Sequence, residues 1–355
     1  MIDINLLQTD DETEYETALK TDAHALLYGS IKYRDLLRQV TNCQDLYLIA
    51  KNQGEIVGIL PFFLKRNSKY GDILNSLPFY GSNGGVMCRP AFGDNLAIKR
   101  KLLDAAHQLA IEKGVVLSTI ITSPFEADTD IYETYSGYNF KDSRIGLICR
   151  LPQADDIELA LMEMIHSKTR NLVKKAVKEN IVCRRSNSIK DLKLLAAMHK
   201  QNMEAIGGIA KDWSFFQNIP EIFEFDKDYC VYIAELNNKP ISTLLVFYYH
   251  LTVEYYTPAI VAEYRNLQPN SLLIYEAMKD ASTRGFQYWN WGGTWVGQDA
   301  LYHFKKRWGA DDYPYHYYVK AYRDIARITS MEKHHILQEY PFFYVVPFSE
   351  LVKPY

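Results

Sequence analysis

Two stretches of this chain repeat one pattern: residues 47–64 read YLIAKNQGEIVGILPFFL, and residues 232–249 read YIAELNNKPISTLLVFYY. Each is a β-rich run, a polar turn and a second β-rich run, which is how a hairpin is written. The turns are Asn52-Gln53-Gly54-Glu55 and Asn237-Asn238-Lys239-Pro240, and Ile49-Ala50 and Ile233-Ala234 hold equivalent places. The sequel repeats as well. A helix-like stretch near 96–113 stops at Gly114 and precedes a strand at 115–122. A second near 270–284 stops at Gly285 and precedes a strand at 286–291. Glycine just past a helix enters the left-handed conformation without strain, so both stops are normal ends. The order hairpin, helix, strand also occurs in unrelated α/β proteins. Written twice in 355 residues, it predicts two tandem α/β (α+β) domains, each with its own core.

The predicted domains are residues 1–153 and 154–322, followed by a C-terminal helix and tail over 323–355 that packs back on the body. The join falls near Pro152-Gln153-Ala154-Asp155, with a helix over 157–179 connecting the halves. Further helices are expected over 11–25, 31–40, 189–206 and 323–340. Hydrophobic residues make up 48% of the chain, enough for real cores. A net charge of −3 gives no global field for a nucleic acid or a membrane, so any anion site must be a local cluster. The start, Met1-Ile2-Asp3-Ile4-Asn5, does not read as a signal peptide. No run reaches the ~18–20 apolar residues of a membrane span. Five scattered cysteines without a CxxC pair, and nine histidines without ligand spacing, point to no metal and no tightly bound cofactor, in a cytoplasmic protein.

Four segments carry charge or glycine where chemistry would use it. The first, Ser167 to Lys178, aligns Arg170, Lys174 and Lys178 on one helix face behind Ser167 as N-cap; it reads as a phosphate-binding ridge or as a solvated face. The second, Glu263 to Asn270, leads into a helix whose N-terminus suits an anion. Arg265 fits such a loop, but Gln268 and Asn270 stand where glycines would let a phosphate approach the backbone; Asn270 also reads as a plain helix cap. The third is Asn290-Trp291-Gly292-Gly293-Thr294 followed by Leu301-Tyr302-His303-Phe304-Lys305-Lys306-Arg307-Trp308-Gly309. Paired glycines permit close approach by a ligand, and the basic run is flanked by Phe304 and Trp308. The fourth, Phe79 to Gly85, is glycine-rich ahead of a helix and reads as a ligand loop or a tight connection.

Together these segments resemble the Fem family of peptidoglycan-bridge aminoacyl-transferases (FemAB- and FemX-like) and related GNAT-like acyltransferases of polysaccharide biosynthesis. The resemblance rests on Lys168-Thr169-Arg170-Asn171 with Lys174-Lys175-Ala176, on Tyr255-Tyr256-Thr257-Pro258 through Ser271-Leu272-Leu273, and on Gly292-Gly293 with Leu301 through Gly309. It covers about residues 160–320, and the first half follows by architecture. It implies two tandem GNAT-like domains, each a mixed, mainly antiparallel sheet flanked by helices. It implies transfer of an acyl or aminoacyl group by direct attack of an amine on an activated donor, either aminoacyl-tRNA or acyl-CoA. The acceptor would be a nucleotide- or lipid-linked sugar, a cell-envelope or polysaccharide precursor. Lys305 and Tyr256 would be the catalytic residues. Arg170, Lys174, Arg265, Asn270, Asn290, Gly292, Gly293, Thr294 and Phe304 would hold substrate or donor. Two other readings stay open: an acyl-CoA-dependent N-acyltransferase on an amino sugar, and a non-catalytic protein that binds a glycan or nucleotide sugar.

Overall fold

The computed structural model describes residues 2–89, 95–126, 128–295 and 297–352. The chain forms two compact units, one of residues 1–145 with 314–355 and one of residues 146–313. The first holds β1 (Ile2–Leu6), β2 (Gln44–Asp45), β3 (Leu48–Asn52), β4 (Glu55–Leu60), β5 (Phe63–Lys65), β6 (Ile73–Asn75), β7 (Met87–Cys88) and β8 (Leu117–Ile121). Strand β9 (Phe140–Arg150) carries the chain out of it. The second unit holds β10 (Val182–Ser186), β11 (Tyr229–Leu236), β12 (Lys239–Tyr249), β13 (Thr252–Ile260) and β14 (Tyr288–Trp295), and β15 (Asp311–Ala321) returns the chain to the first. The repeat in the sequence assigns residues up to 322 to the second domain, whereas from Pro314 onward they belong to the first unit. The reason is strand pairing: Tyr317–Ala321 of β15 lie antiparallel to Leu117–Ile121 of β8.

The fold is mixed α/β with tandem GNAT-like architecture, and the repeated hairpin is real in detail. Strands β3 and β4 pair antiparallel and close with Gln53 and Gly54 at φ +52° and +89°; β11 and β12 close with Asn237 and Asn238 at +52° and +62°. Two positive φ angles in a two-residue loop make the turn whose twist matches its strands. Each hairpin also breaks register at the same place, between Ala50 and Lys51 and between Ala234 and Glu235. The second break explains Pro240, which the sequence places in the turn. It lies inside β12 opposite Glu235, at the irregularity where a missing N–H is tolerated. Strand β7 then adds to β4, as β13 adds to β12, both antiparallel. The helices Asn95–Glu112 and Pro269–Thr283 come next, with Gly114 and Gly285 past their ends at φ +66° and +84°. Strands β8 and β14 complete the two copies.

In the second unit the strand order is β10-β11-β12-β13-β14, all antiparallel except β13 with β14. Helix Pro269–Thr283 buries Leu272, Leu273, Ile274, Ala277, Met278 and Ala281 against β11, β12 and β13. This helix is buried on two faces because it lies on a sheet and is itself covered by helix Ser167–Lys178.

Two helical expectations are corrected. The helix predicted over 157–179 is two helices, Ile157–Met164 and Ser167–Lys178. Ile165 takes an extended conformation between them, and His166 rather than Ser167 caps the second, its Nδ1 accepting from the Lys168 N–H at 3.2 Å. The stretch 323–340 holds only two short helices, Ala326–Thr329 and Lys333–Glu339, and the last three residues of the expected tail, 353–355, lie outside the described residues.

Gly309 shows why the 301–309 segment ends as it does. Its φ is +85°, and a Cβ there would stand 2.7 Å from Met164 Cγ, while Trp308 before it is fully buried. Gly309→Ala is therefore expected to lower stability by about 2 kcal/mol or more, from strain and overpacking together. A thermal midpoint equal to that of the wild type would refute this account of the glycine.

Candidate functional site

The site is built where β13 and β14 part. They pair in parallel over only three positions, Thr252 to Glu254 against Tyr288 to Asn290, and both then run on without pairing to each other. At the last paired position Asn290 donates from Nδ2 to Glu254 Oε2 at 2.8 Å, with both side chains buried. Asn290 Oδ1 accepts from the Gly292 N–H at 2.9 Å. Gly292 sits at φ +70°, and a Cβ there would meet nothing within 4 Å, so glycine is required by the backbone and not by crowding.

Helix Asp299–Lys306 then delivers Lys305 back onto this turn. The Lys305 Nζ donates to Gly293 O at 3.0 Å, Thr294 Oγ1 at 3.1 Å and Gly292 O at 3.3 Å. The side chain is 4% exposed, and no carboxylate lies within ion-pair distance among the described residues. Burial of the ammonium pushes its pKa down, to about 8. Asn290, Gly292, Gly293, Thr294 and Lys305 thus form one hydrogen-bonded group. Phe304 packs edge-on against Trp291, whose indole N–H points at Cys149 Sγ, 3.1 Å away.

The other expected site residues fall elsewhere. Tyr256 is the extra residue of a bulge in β13, since Thr257 opposes Leu245 and Tyr255 opposes Val246. Its ring stacks on Phe215 at 5.6 Å and meets Phe247 edge-on. Arg170 is engaged structurally, donating from Nη1 to Met162 O and Ile165 O and so capping the preceding helix. Lys174 and Arg265 are exposed. Asn270 is not the helix cap; its Oδ1 accepts from Ser242 Oγ, tying the helix to β12.

The turn before that helix has a defined geometry. Gln268 is the N-cap, in the left-handed region at φ +64°. Pro269 comes next with no N–H to offer, and the Ser271 and Leu272 N–H groups are directed to Gln268 O at 3.0 and 3.4 Å. A diphosphate cradle uses the N–H groups of the first turn, and here that of Pro269 is missing and that of Ser271 is engaged.

Two residues escape a reading of the sequence. Glu254 is a lone acid inside an apolar strand, which is the signal that could have found it. Lys211 has no such signal, because only the fold brings its Nζ to 5.1 Å above the Tyr256 ring and 5.6 Å above Phe215. Burial lowers its pKa also, to about 8.

Residues 166–325 match the family model described as an acetyltransferase (GNAT) domain. No curated protein sequence matches the chain. Among solved structures, that of FemX matches with a TM-score of 0.69 at 17% identity, over 88% of this chain and 96% of that one. A tandem GNAT protein from the clavulanic acid biosynthesis pathway matches at 0.58 and 10% identity, over 91% and 99%. The C-terminal domain of a putative lysylphosphatidylglycerol synthetase from Agrobacterium fabrum matches at 0.55 and 10% identity, over 92% and 96%. At such identities the likeness is one of fold: the tandem GNAT-like architecture extends along nearly the whole chain.

The lysine makes a pH prediction. Its folded pKa lies below the unfolded value of ~10.4. Below about pH 8 the ammonium stays buried and charged, and the full penalty applies; between about 8 and 10.4 the unfolded chain binds the extra proton, so stability rises with pH. Wild type should gain on the order of 2 kcal/mol over Lys305→Met across that window in denaturant titrations. Parallel curves for the two proteins would mean that the lysine keeps its ordinary pKa.

Proposed function

We propose that this chain is an acyltransferase of the aminoacyl-transferring kind, moving an acyl or aminoacyl group from an activated donor to an amine of a cell-envelope or polysaccharide precursor. The observation that carries the reading is the buried Lys305 ammonium at the gap between β13 and β14. A donor carbonyl brought to this gap develops negative charge on its oxygen when the amine attacks. A buried cation answers that charge more strongly than one in water. Lys305 would do so by exchanging one of its present acceptors, Thr294 Oγ1 being the one that can rotate away. Glu254, joined to Gly292 through Asn290, fixes the turn that holds the lysine. Tyr256 would orient a substrate from the neighbouring aromatic face. Direct transfer needs no covalent enzyme intermediate, and positioning of the two substrates supplies much of the acceleration.

For the donor we favour aminoacyl-tRNA over acyl-CoA. The Gln268-Pro269 turn supports this choice, since Pro269 has no N–H to offer a CoA diphosphate and that of Ser271 is engaged. Exposed Lys174 and Arg265 are basic residues available to a phosphate backbone. The acceptor is then a nucleotide- or lipid-linked sugar precursor. The alternative, an acyl-CoA-dependent N-acyltransferase acting on an amino sugar, predicts a raised thermal midpoint with CoA thioesters.

Lys305→Ala should lower kcat about 10²–10³-fold in transfer from labelled aminoacyl-tRNA to an amine acceptor. It should do so with the fold retained by circular dichroism; unchanged turnover would remove the lysine from the mechanism. Transfer should also decline as pH rises through about 8, because deprotonation abolishes the charge. A rate that climbs across that range would assign Lys305 no role as a cation.

A further inference from the structure

The first unit contains a cavity of about 160 Å³ that the proposed reaction does not use. Its lining includes Asp22 and His24, Asn83 and Gly85 of the glycine-rich segment, and Lys99 and Glu126. Its place in the repeat is telling. It lies between β7 and the chain leaving β8, beside the start of helix Asn95–Glu112, just as the Lys305 group lies between β13 and β14 in the second unit.

The cavity is built from specific contacts. Lys99 and Glu126 form an ion pair at 2.8 Å with side chains 9% and 5% exposed. Tyr132 donates to Glu126 Oε1 at 3.0 Å, and Lys99 also reaches Asp128 O at 3.3 Å. Burial raises the Glu126 pKa, opposed by Lys99. Gly85 makes room for this carboxylate, because a Cβ there would stand 2.7 Å from Glu126 Oε2. Gly84 sets the path of the loop, because its Cβ would overlap Ser76 O. The His24 and Phe125 rings stack at 4.5 Å to form a wall.

Three carboxylates, those of Asp22, Glu126 and Asp128, belong to residues lining this cavity. Asn83 is 8% exposed, and its Nδ2 donates to Thr122 O at 2.7 Å, which fixes the amide so that Oδ1 is the end left over. Among the described residues that oxygen accepts no hydrogen bond. The Glu126 carboxylate takes Lys99 and Tyr132 on Oε1, a 3.3 Å contact from Tyr132 on Oε2, and a hydrogen bond from the Ser123 backbone. Asp22, its side chain 37% exposed, accepts from the His24 N–H at 2.9 Å. An amide oxygen left without a donor beside carboxylates favours a ligand rich in N–H. Lys99 neutralises Glu126 alone, so Asp22 and Asp128 leave the lining negative.

We infer that this cavity is a second binding site, for a small molecule bearing a protonated primary amine, of amino-acid or amino-sugar size. An –NH₃⁺ group brings three donors and one positive charge, which matches Asn83 Oδ1, Glu126 Oε2 and the Asp22 carboxylate in number and sign. The Phe125 ring adds a face that a cation favours. The site is argued from the first unit alone and does not rest on the reaction assigned to the second.

The test is binding by the intact chain, followed by calorimetry and by thermal midpoint. The probes are L-alanine and D-glucosamine against lactate and N-acetyl-D-glucosamine, which keep similar size without the ammonium. Both amines, or either one, should bind while their counterparts do not, the pattern distinguishing amino acid from amino sugar. Asp22→Asn and Asn83→Ser should each weaken binding about tenfold or more, and Asp22→Asn should do so with an unchanged midpoint in the absence of probe. Lys305→Ala should leave the affinity unchanged. No binding by either amine at about 10 mM, equal binding by the amine-free probes, or indifference to both first-unit variants would each overturn the proposal.

Discussion

Much of the second unit is arranged around one buried cation. Lys305 is held by two carbonyls and a hydroxyl from three consecutive residues, 292 to 294, without a carboxylate among the described residues. An ammonium in that position is tolerated only because backbone dipoles converge on it. That convergence requires Gly292 in the left-handed region, Asn290 to hold its N–H, and Glu254 to hold Asn290. Behind the lysine, Trp308 and Gly309 fix the end of its helix, Trp308 by filling the core and Gly309 by leaving space for Met164. The segment that looked like a basic cluster is thus split: Lys305 is buried, Lys306 pairs with Asp312, and Arg307 faces outward.

The two copies of the repeat have diverged by the same logic. Each retains the hairpin with its bulge, the third strand, the helix and the closing strand. In the second copy, polar side chains and paired glycines gather at the strand gap. In the first, a Lys–Glu ion pair and an acceptor-rich cavity take the corresponding place. The backbone arrangement is common to both, while the two copies differ in a handful of side chains at the strand ends, where a fold tolerates change.

Legibility in the sequence followed the range of the interactions. The hairpins were plain because turn residues and alternating strands are local signals, and the two glycine stops were plain for the same reason. The break of the 157–179 helix was hidden, because Ile165 is an ordinary apolar residue. Its extended backbone is set by neighbouring side chains, Arg170 closing the end of one helix and His166 the start of the next. Arg170 and Asn270 were visible as polar residues at plausible places. Their partners are carbonyls and a serine brought near by folding, so their structural engagement was not visible. Lys305 was picked out by its segment, but its desolvation was not: in the sequence it is one of three consecutive basic residues.

By itself the sequence determined the repeat and the fold class, since periodicity, turn chemistry and glycine placement act over a few residues. Only the tertiary structure decided which charges are buried, which polar groups are already engaged, and where β15 belongs. It also decided that Asn83 and Glu126, 43 residues apart in the chain, line one cavity. Desolvation and hydrogen-bond pairing depend on what lies opposite a side chain in space, and no local pattern in the chain carries that information.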